Sequence, residues 1–285
     1  NIKSAIKHER MQVSLPLTII LCANYSTLCE KVTNKILESE FGMYIQLKDA
    51  SFAYNTEAIF KQLNLRIEKN HTYVILGKSG IGKSTLLSIL KGLRQLSEGT
   101  IHYQGTNQDK IEIVFQDLRL FPWQTVKQAL EMPLIIEGVA SKERRSRITK
   151  CVEQFNLTDL ATRYPNQLSG GQKQRVAMAR GLVTQPDFLL LDEPTSSLDQ
   201  DTKEHVQDTI LQAQRRYRNG LVIVTHDTEE AAYLGETILV VESETLTLID
   251  NPIFHLEKRR DHLAFYEFSL ELKQRLKKGE RNEKN

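Results

Sequence analysis

The chain has 285 residues, 40% of them hydrophobic, enough to bury a sizeable core, so it is not expected to be intrinsically disordered. Its 38 basic and 36 acidic residues leave a net charge of +2, which gives no electrostatic footprint for nucleic acid. The three cysteines, Cys22, Cys29 and Cys151, form no Cys-x-x-Cys pair and are too few for a disulfide framework, which suits a reducing compartment.

Residues 1–42 open with Lys3, Lys7 and Arg10 ahead of an apolar stretch over 13–23 that Pro16 interrupts, an order that imitates a secretory signal. The stretch falls far short of the roughly 20 residues that span a bilayer, so the chain is expected not to cross a membrane itself. These residues read as an extension of unknown status ahead of a domain starting at Met43.

From Met43 the pattern changes to period two. Ile45 and Leu47, then Leu63, Leu65 and Ile67, alternate with polar neighbours and predict antiparallel strands. Between them, Ser51-Phe52-Ala53-Tyr54 carries rings that suit either strand-end packing or a face offered to a purine. The apolar run Tyr73-Val74-Ile75-Leu76 then leads into Gly77-Lys78-Ser79-Gly80-Ile81-Gly82-Lys83-Ser84-Thr85, and Leu86, Leu87 and Leu90 follow in helical spacing. This is a phosphate-binding loop in its expected context. A triphosphate must be held by several backbone N–H groups at once, and glycines at 77, 80 and 82 let the chain wrap closely around it. The helix from Lys83 adds unpaired N–H groups and the positive end of its dipole. Lys83 can reach the β and γ phosphates, and Ser84 can offer a hydroxyl to Mg²⁺.

That helix is expected to end at Gly92. Residues 100–103 and 111–115 predict further strands, the second delivering Gln116 and Asp117 at its carboxyl end, a common position for site residues. In Leu120-Phe121-Pro122-Trp123, Pro122 can start a helix, and the aromatics are either core or an exposed docking patch. Residues 124–182 predict mainly helix, with Ile148, Val152 and Phe155 on one apolar face. The adjacent Arg144, Arg145 and Arg147 read as a solvated face. Leu168-Ser169-Gly170-Gly171-Gln172, at the start of a helix through Leu182, is a second ready anion site.

Phe188-Leu189-Leu190-Leu191 predicts a strand buried on both faces of a parallel sheet, ending at Asp192-Glu193. Beside a phosphate loop, one of these carboxylates can hold Mg²⁺ directly or through water, and the other can orient and deprotonate an attacking water. Asp199 precedes a helix with Val206, Ile210, Ala213 and Tyr217 on one face, and by itself reads as a helix cap. Residues 221–224 form one more buried strand that delivers Thr225-His226-Asp227, and 238–241 are expected to complete the sheet. His226 counts only through its company. The tail from Pro252 carries Phe265, Phe268, Leu272 and Leu276 at helical spacing, flanked by Lys273, Arg275, Lys277 and Lys278. It reads as a helix packed on the core, a partner-binding helix or a weak membrane-surface contact; core packing is the expectation, with the last residues frayed.

Taken together and in this order, the residues resemble the nucleotide-binding subunit of ABC transporters over 43 to about 245. Leu168-Ser169-Gly170-Gly171-Gln172 is the most specific single match. It stands with a Walker A loop at 77–85, a Walker B strand at 188–192, the Q-loop glutamine Gln116, the D-loop Asp199 and the switch histidine His226. The resemblance implies an α/β fold: a P-loop NTPase (RecA-like) core with an antiparallel β-subdomain and an inserted α-helical signature subdomain at about 120–180. The ATPase domain would span 43–250 and a helical tail 251–285.

The resemblance also assigns roles by matched position. Tyr54 would stack on adenine; Gly77, Lys78, Ser79, Gly80, Ile81, Gly82, Lys83, Ser84 and Thr85 would hold the phosphates of ATP. Ser84, Gln116 and Asp192 would serve Mg²⁺, Glu193 would be the general base, and His226 would meet the γ phosphate, with Gln116 and Lys83 also catalytic. Ser169, Gly170 and Gly171 would serve the nucleotide of a second copy, because the family sandwiches ATP between two subunits, and Gln172 and Asp199 would be further nucleotide-binding residues. Val114-Phe115-Gln116-Asp117 followed by Leu120-Phe121-Pro122-Trp123 is similar to importers of the nitrate, sulfonate, taurine and thiamine-precursor group. That likeness implies transmembrane permease partners, an extracytoplasmic substrate-binding protein and a place on the cytoplasmic face of the membrane, with no nucleic acid partner. The shortness of the chain after residue 250 argues against an added C-terminal sensor. Two competing readings are a soluble ABC-type ATPase acting on nucleic acid or ribosomes and a non-hydrolysing nucleotide sensor. The first lacks space between Lys83 and Asp192 for a long coiled-coil insertion, and the second is disfavoured because each expected catalytic position is filled.

Overall fold

The structure, a computed structural model, describes residues 42–54, 57–242 and 245–282. The expectations for Lys3, Lys7, Arg10, the apolar stretch over 13–23, Cys22 and Cys29, and for the fraying of 283–285, lie outside the described residues. The strands in chain order are β1 (Tyr44–Tyr54), β2 (Glu57–Glu68), β3 (Thr72–Leu76), β4 (Glu98–Gln104), β5 (Ile111–Val114), β6 (Phe188–Asp192), β7 (Gly220–Thr225), β8 (Thr237–Glu242) and β9 (Thr245–Asp250). The helices are α1 (Lys83–Leu90), α2 (Val126–Ile136), α3 (Ser141–Gln154), α4 (Gly170–Leu182), α5 (Gln200–Tyr217), α6 (Thr228–Leu234) and α7 (Leu263–Asn282).

Two sheets result. One is antiparallel with strand order β2-β1-β4, and the Ser51-Phe52-Ala53-Tyr54 stretch is the end of β1 itself rather than a link after it. The other is six-stranded, order β5-β6-β7-β3-β8-β9, and parallel except for its last pair. The expectation that 238–241 complete this sheet is therefore corrected. Leu246 and Leu248 alternate with polar residues on β9, which returns antiparallel along β8 and forms the edge.

The inner strands separate two apolar layers residue by residue. On β3, Val74 and Leu76 face one cluster and Tyr73 and Ile75 the other; on β6, Leu189 and Leu191 oppose Phe188 and Leu190 in the same way. That explains the unbroken apolar runs, since a strand covered on both faces has no polar side. The first layer gathers α2–α7, including the predicted faces Ile148, Val152, Phe155 and Val206, Ile210, Ala213, and the tail residues Phe265, Phe268 and Leu272. The second layer holds α1 and the antiparallel sheet.

Two local expectations change. The helix after Pro122 starts at Val126, because Thr125 accepts from Gln128 N–H and the Gln128 side chain accepts from Thr125 N–H, closing a capping box. Arg144 is not simply solvated, because its guanidinium donates to Glu131 on α2 at 3.3 Å and to the Val139 carbonyl at 2.8 Å, bracing α3 against α2.

Candidate active site

Strand order decides the site. With β5, β6, β7 and β3 parallel and adjacent, their carboxyl ends put Gln116, Asp192 with Glu193, His226 and the loop at 77–82 side by side along one edge. The loop is stitched to its neighbour by Gly77 N–H donating to Thr225 O at 3.4 Å, and Glu193 N–H donates to Val224 O at 3.0 Å.

The loop needs its glycines where the chain turns into α1. Gly82 caps the helix at φ +101, and a Cβ there would lie 2.1 Å from Cγ2 of Ile59. Gly80 has φ +83 and open space beside it. Lys83 is only 5% exposed, and its ammonium donates to the carbonyls of Gly77 and Lys78 at 2.8 and 2.7 Å, so it sits inside the turn of the loop. Burial pushes its pKa below the ordinary lysine value, with Glu193 and Asp192 pulling it back up.

Ser84, one residue on, donates its hydroxyl to Asp192 Oδ1 at 3.0 Å. Burial pushes the Asp192 carboxyl above the usual range; the Ser84 hydrogen bond opposes this, Glu193 adds to it and Lys83 opposes it. A hydroxyl and one carboxylate are a sparse ligand set. Among the described residues no group of three or more His, Cys, Asp or Glu is gathered to hold a metal. That donor set fits Mg²⁺, which keeps several waters and uses one or two carboxylates plus substrate phosphate.

Glu193 adopts φ +47 immediately after β6, and its carboxylate is gripped from both sides. Oε1 lies 3.2 Å from Nδ1 of His226, and Oε2 accepts from Nε2 of Gln116 at 3.3 Å. The same Gln116 nitrogen lies 3.4 Å from Ser196 Oγ. Tyr54 is 40% exposed at the end of β1, with its hydroxyl 3.2 Å from Thr85 Oγ1 and Arg94 over its ring at 5.0 Å.

The signature segment is built separately. Ser169 caps α4, accepting from Gln172 N–H at 3.3 Å, while the Gln172 side chain accepts from Ser169 N–H at 2.9 Å. The first helical N–H groups, at Gly170 and Gly171, have no acceptor within the helix. A Cβ on Gly171 would stand 2.4 Å from Cγ2 of Thr202, and one on Gly170 3.0 Å from Leu198. The signature thus lies against the segment of Asp199, which caps α5 by accepting from Thr202 N–H at 3.0 Å. Hydrogen bonds from Thr202 lower the pKa of the fully exposed Asp199 carboxyl.

The sequence reading missed three neighbours. Arg94 meets Tyr54 across a turn, Ser196 meets Gln116 from another strand's loop, and Lys203 on α5 pairs with Asp227 beside His226. Only Lys203 carried a local signal, standing one helical turn after the Asp199 cap.

The family model for ABC transporters matches residues 60–196. The chain is 35% identical over 215 residues to the nitrate import ATP-binding protein NrtD of Synechocystis sp., a match covering 72% of this chain and 80% of that protein. The chain belongs to the ABC transporter family. Aliphatic sulfonates import ATP-binding protein SsuB 2 of Rhizobium johnstonii is 38% identical over 236 residues, covering 81% of this chain and 90% of that protein. Among solved structures, a dimeric post-hydrolysis ATP-binding cassette bound to ADP and Pi superposes with a TM-score of 0.63 at 32% identity. That match covers 72% of this chain and 98% of the cassette. The α/β P-loop fold expected from the sequence is the fold of these ABC cassettes, a family that binds ATP.

Proposed function

We propose that this ABC chain is the ATP-hydrolysing subunit of a membrane importer, working as a homodimer with Mg²⁺ and driving uptake of a substrate of the nitrate, sulfonate, taurine or thiamine-precursor type. The observation that carries this reading is the convergence of Gln116 and His226 on the Glu193 carboxylate, beside a phosphate loop whose Ser84 is already joined to Asp192. The relatives named as nitrate, sulfonate and taurine import ATP-binding proteins support the transport role.

Each residue then has a task. Backbone N–H groups of the loop and Lys83 bind the β and γ phosphates, and Tyr54 offers its exposed ring to the adenine. Ser84 and Asp192 hold Mg²⁺, which supplies charge neutralisation on the phosphate oxygens. Glu193, held in place by His226 and Gln116, takes the proton of the attacking water. Gly170 and Gly171 offer their N–H groups to the nucleotide of a second copy, with Ser169, Gln172 and Asp199 shaping that edge.

The import role calls for a partner in the membrane, and no helix among the described residues is long and apolar enough to cross one. A groove of about 830 Å³ lined by Lys91, Glu112, Pro133, Ile136 and Glu137 suits a docking permease, with Ile135 and Ile136 exposed on α2. The stacked rings of Phe121 and Trp123 are exposed as well. This arrangement would place the chain on the cytoplasmic face of the membrane, with an extracytoplasmic binding protein delivering substrate to the permease.

The test is the quaternary state under nucleotide. Turnover per molecule should rise with protein concentration, and Glu193→Gln should run as a dimer in Mg²⁺-ATP during size exclusion. A protein that stays monomeric with constant turnover overturns the proposal.

A further inference from the structure

A line of polar side chains, buried beyond its first member, runs from the C-terminal segment to the loop that carries Glu193. It starts at the tight turn Arg259–Asp261. Arg259 is 4% exposed and anchors this turn by donating to the carbonyls of Phe254 at 2.8 Å and Tyr233 at 2.6 Å. Arg260 is thereby directed over the Tyr233 ring, 3.5 Å from its centroid, toward α5. Its guanidinium donates to Gln207 Oε1 at 2.5 Å and lies 3.4 Å from Asp208 Oδ1.

Gln207 passes the line on. Its amide accepts from Arg260 at one end, and its Nε2 donates to Glu230 Oε1 at 3.2 Å at the other. The same Glu230 oxygen accepts from the Thr195 hydroxyl at 2.5 Å. Gln207, Glu230 and Thr195 are 3%, 2% and 2% exposed, so the bonds among these three lie away from bulk water, whereas Arg260 at the head of the line is partly exposed. Thr195 in turn shapes the catalytic loop, since its carbonyl accepts from Leu198 N–H at 3.2 Å, and Ser196 N–H donates to Glu193 O at 3.4 Å.

The polarity of the line is set by chemistry. Arginine only donates, a carboxylate only accepts, and the glutamine amide between them does both, accepting through its oxygen and donating through its nitrogen. A buried glutamate is costly unless its oxygens are occupied, so the position of Thr195 is coupled to whether Gln207 is held correctly.

We infer that Arg260 is a positioning residue for the hydrolysis proposed above, acting through Gln207 and Glu230 on Thr195 to hold the loop from Glu193 to Asp199. The inference rests on that reading of the site. It makes the C-terminal segment part of the catalytic apparatus without its touching nucleotide.

The test compares wild type, Arg260→Met, Gln207→Glu and the double variant in the full chain. Gln207→Glu keeps an acceptor for Arg260 but sets a carboxylate against Glu230, so it breaks the line while leaving the tail packed. Each single variant should lose about 10-fold or more in kcat, since misplacements of about 1 Å from distant changes cost up to ~100-fold. KM for ATP should stay within about twofold. The double variant should be no slower than the worse single one, and amide exchange should rise over residues 193–199 in each. Wild-type kcat, or loss in Arg260→Met without loss in Gln207→Glu, overturns the relay, as does multiplication of the two effects. Should Arg260→Met not fold, kcat and exchange in Gln207→Glu decide alone. Wild-type turnover in the same assay separates the two levels: its absence overturns the hydrolysis reading, its presence with unaffected variants the relay alone.

Discussion

Ser84 and Asp192 stand 108 positions apart in the chain yet share a 3.0 Å hydrogen bond, joining the start of α1 to the end of β6. Asp192 is 9% exposed, and burial raises its pKa. A carboxyl whose pKa is higher folded than unfolded makes its ionised form a cost to the folded state. That cost is fully present above the folded value and absent below the unfolded value near 4. Asp192→Asn should therefore melt higher than wild type at pH 7, the gain shrinking as pH falls through the raised pKa toward 4, while ATP turnover falls and needs more Mg²⁺ to reach half its maximum. Thermal melts across pH check the first, and metal titration the second; an unchanged melting temperature at pH 7 would count against the buried ionised carboxylate.

Glu193→Gln keeps the shape of the side chain between Gln116 and His226 but removes the base. ATP binding should persist while hydrolysis falls roughly 10²- to 10⁴-fold, the usual size of a general-base contribution. Single-turnover kinetics with a binding isotherm separate the two; equal turnover would remove Glu193 from the role.

Lys83→Ala acts on affinity. The ammonium already points into the loop through Gly77 and Lys78, and its hydrogen bonds to a phosphate are each worth about 1.5–3 kcal/mol. Calorimetry should show ATP binding weakened by about 10-fold or more, with the melting temperature of the nucleotide-free protein little altered. Undiminished affinity would contradict the loop assignment.

Two glycines with positive φ differ in what surrounds them. A Cβ at Gly82 meets Ile59 at 2.1 Å, whereas nothing lies within 4 Å of one at Gly138. Gly138→Ala should cost only the left-handed backbone penalty of about 1–2 kcal/mol. Gly82→Ala should add displacement of Ile59 and of the loop, and lose ATP binding. Denaturant midpoints and a nucleotide titration of both variants provide the comparison.

Much of this was legible in the amino acids, because parallel inner strands must be apolar on both faces and the phosphate loop needs glycines at fixed spacing. Residues 73–76, 188–191 and 221–224 all proved to be inner strands of one sheet. Strand β9 was missed although Leu246 and Leu248 alternate, since the sheet was closed one strand early. The helix start at Val126 had a readable marker in Thr125 and Gln128, a capping box that outranked the proline at 122. Arg94, Ser196, Gln207, Glu230 and Arg260 were not legible, because their partners are chosen by tertiary packing and leave no period or spacing in one dimension.

Trp123 is the chain's single tryptophan, and at 69% exposure it lies almost flat against Phe121 on the surface. Its intrinsic fluorescence is consequently a label-free gauge of one place only. Emission moving to the blue on reconstitution would signal that water had been driven from this patch, and quenching by iodide would fade in step.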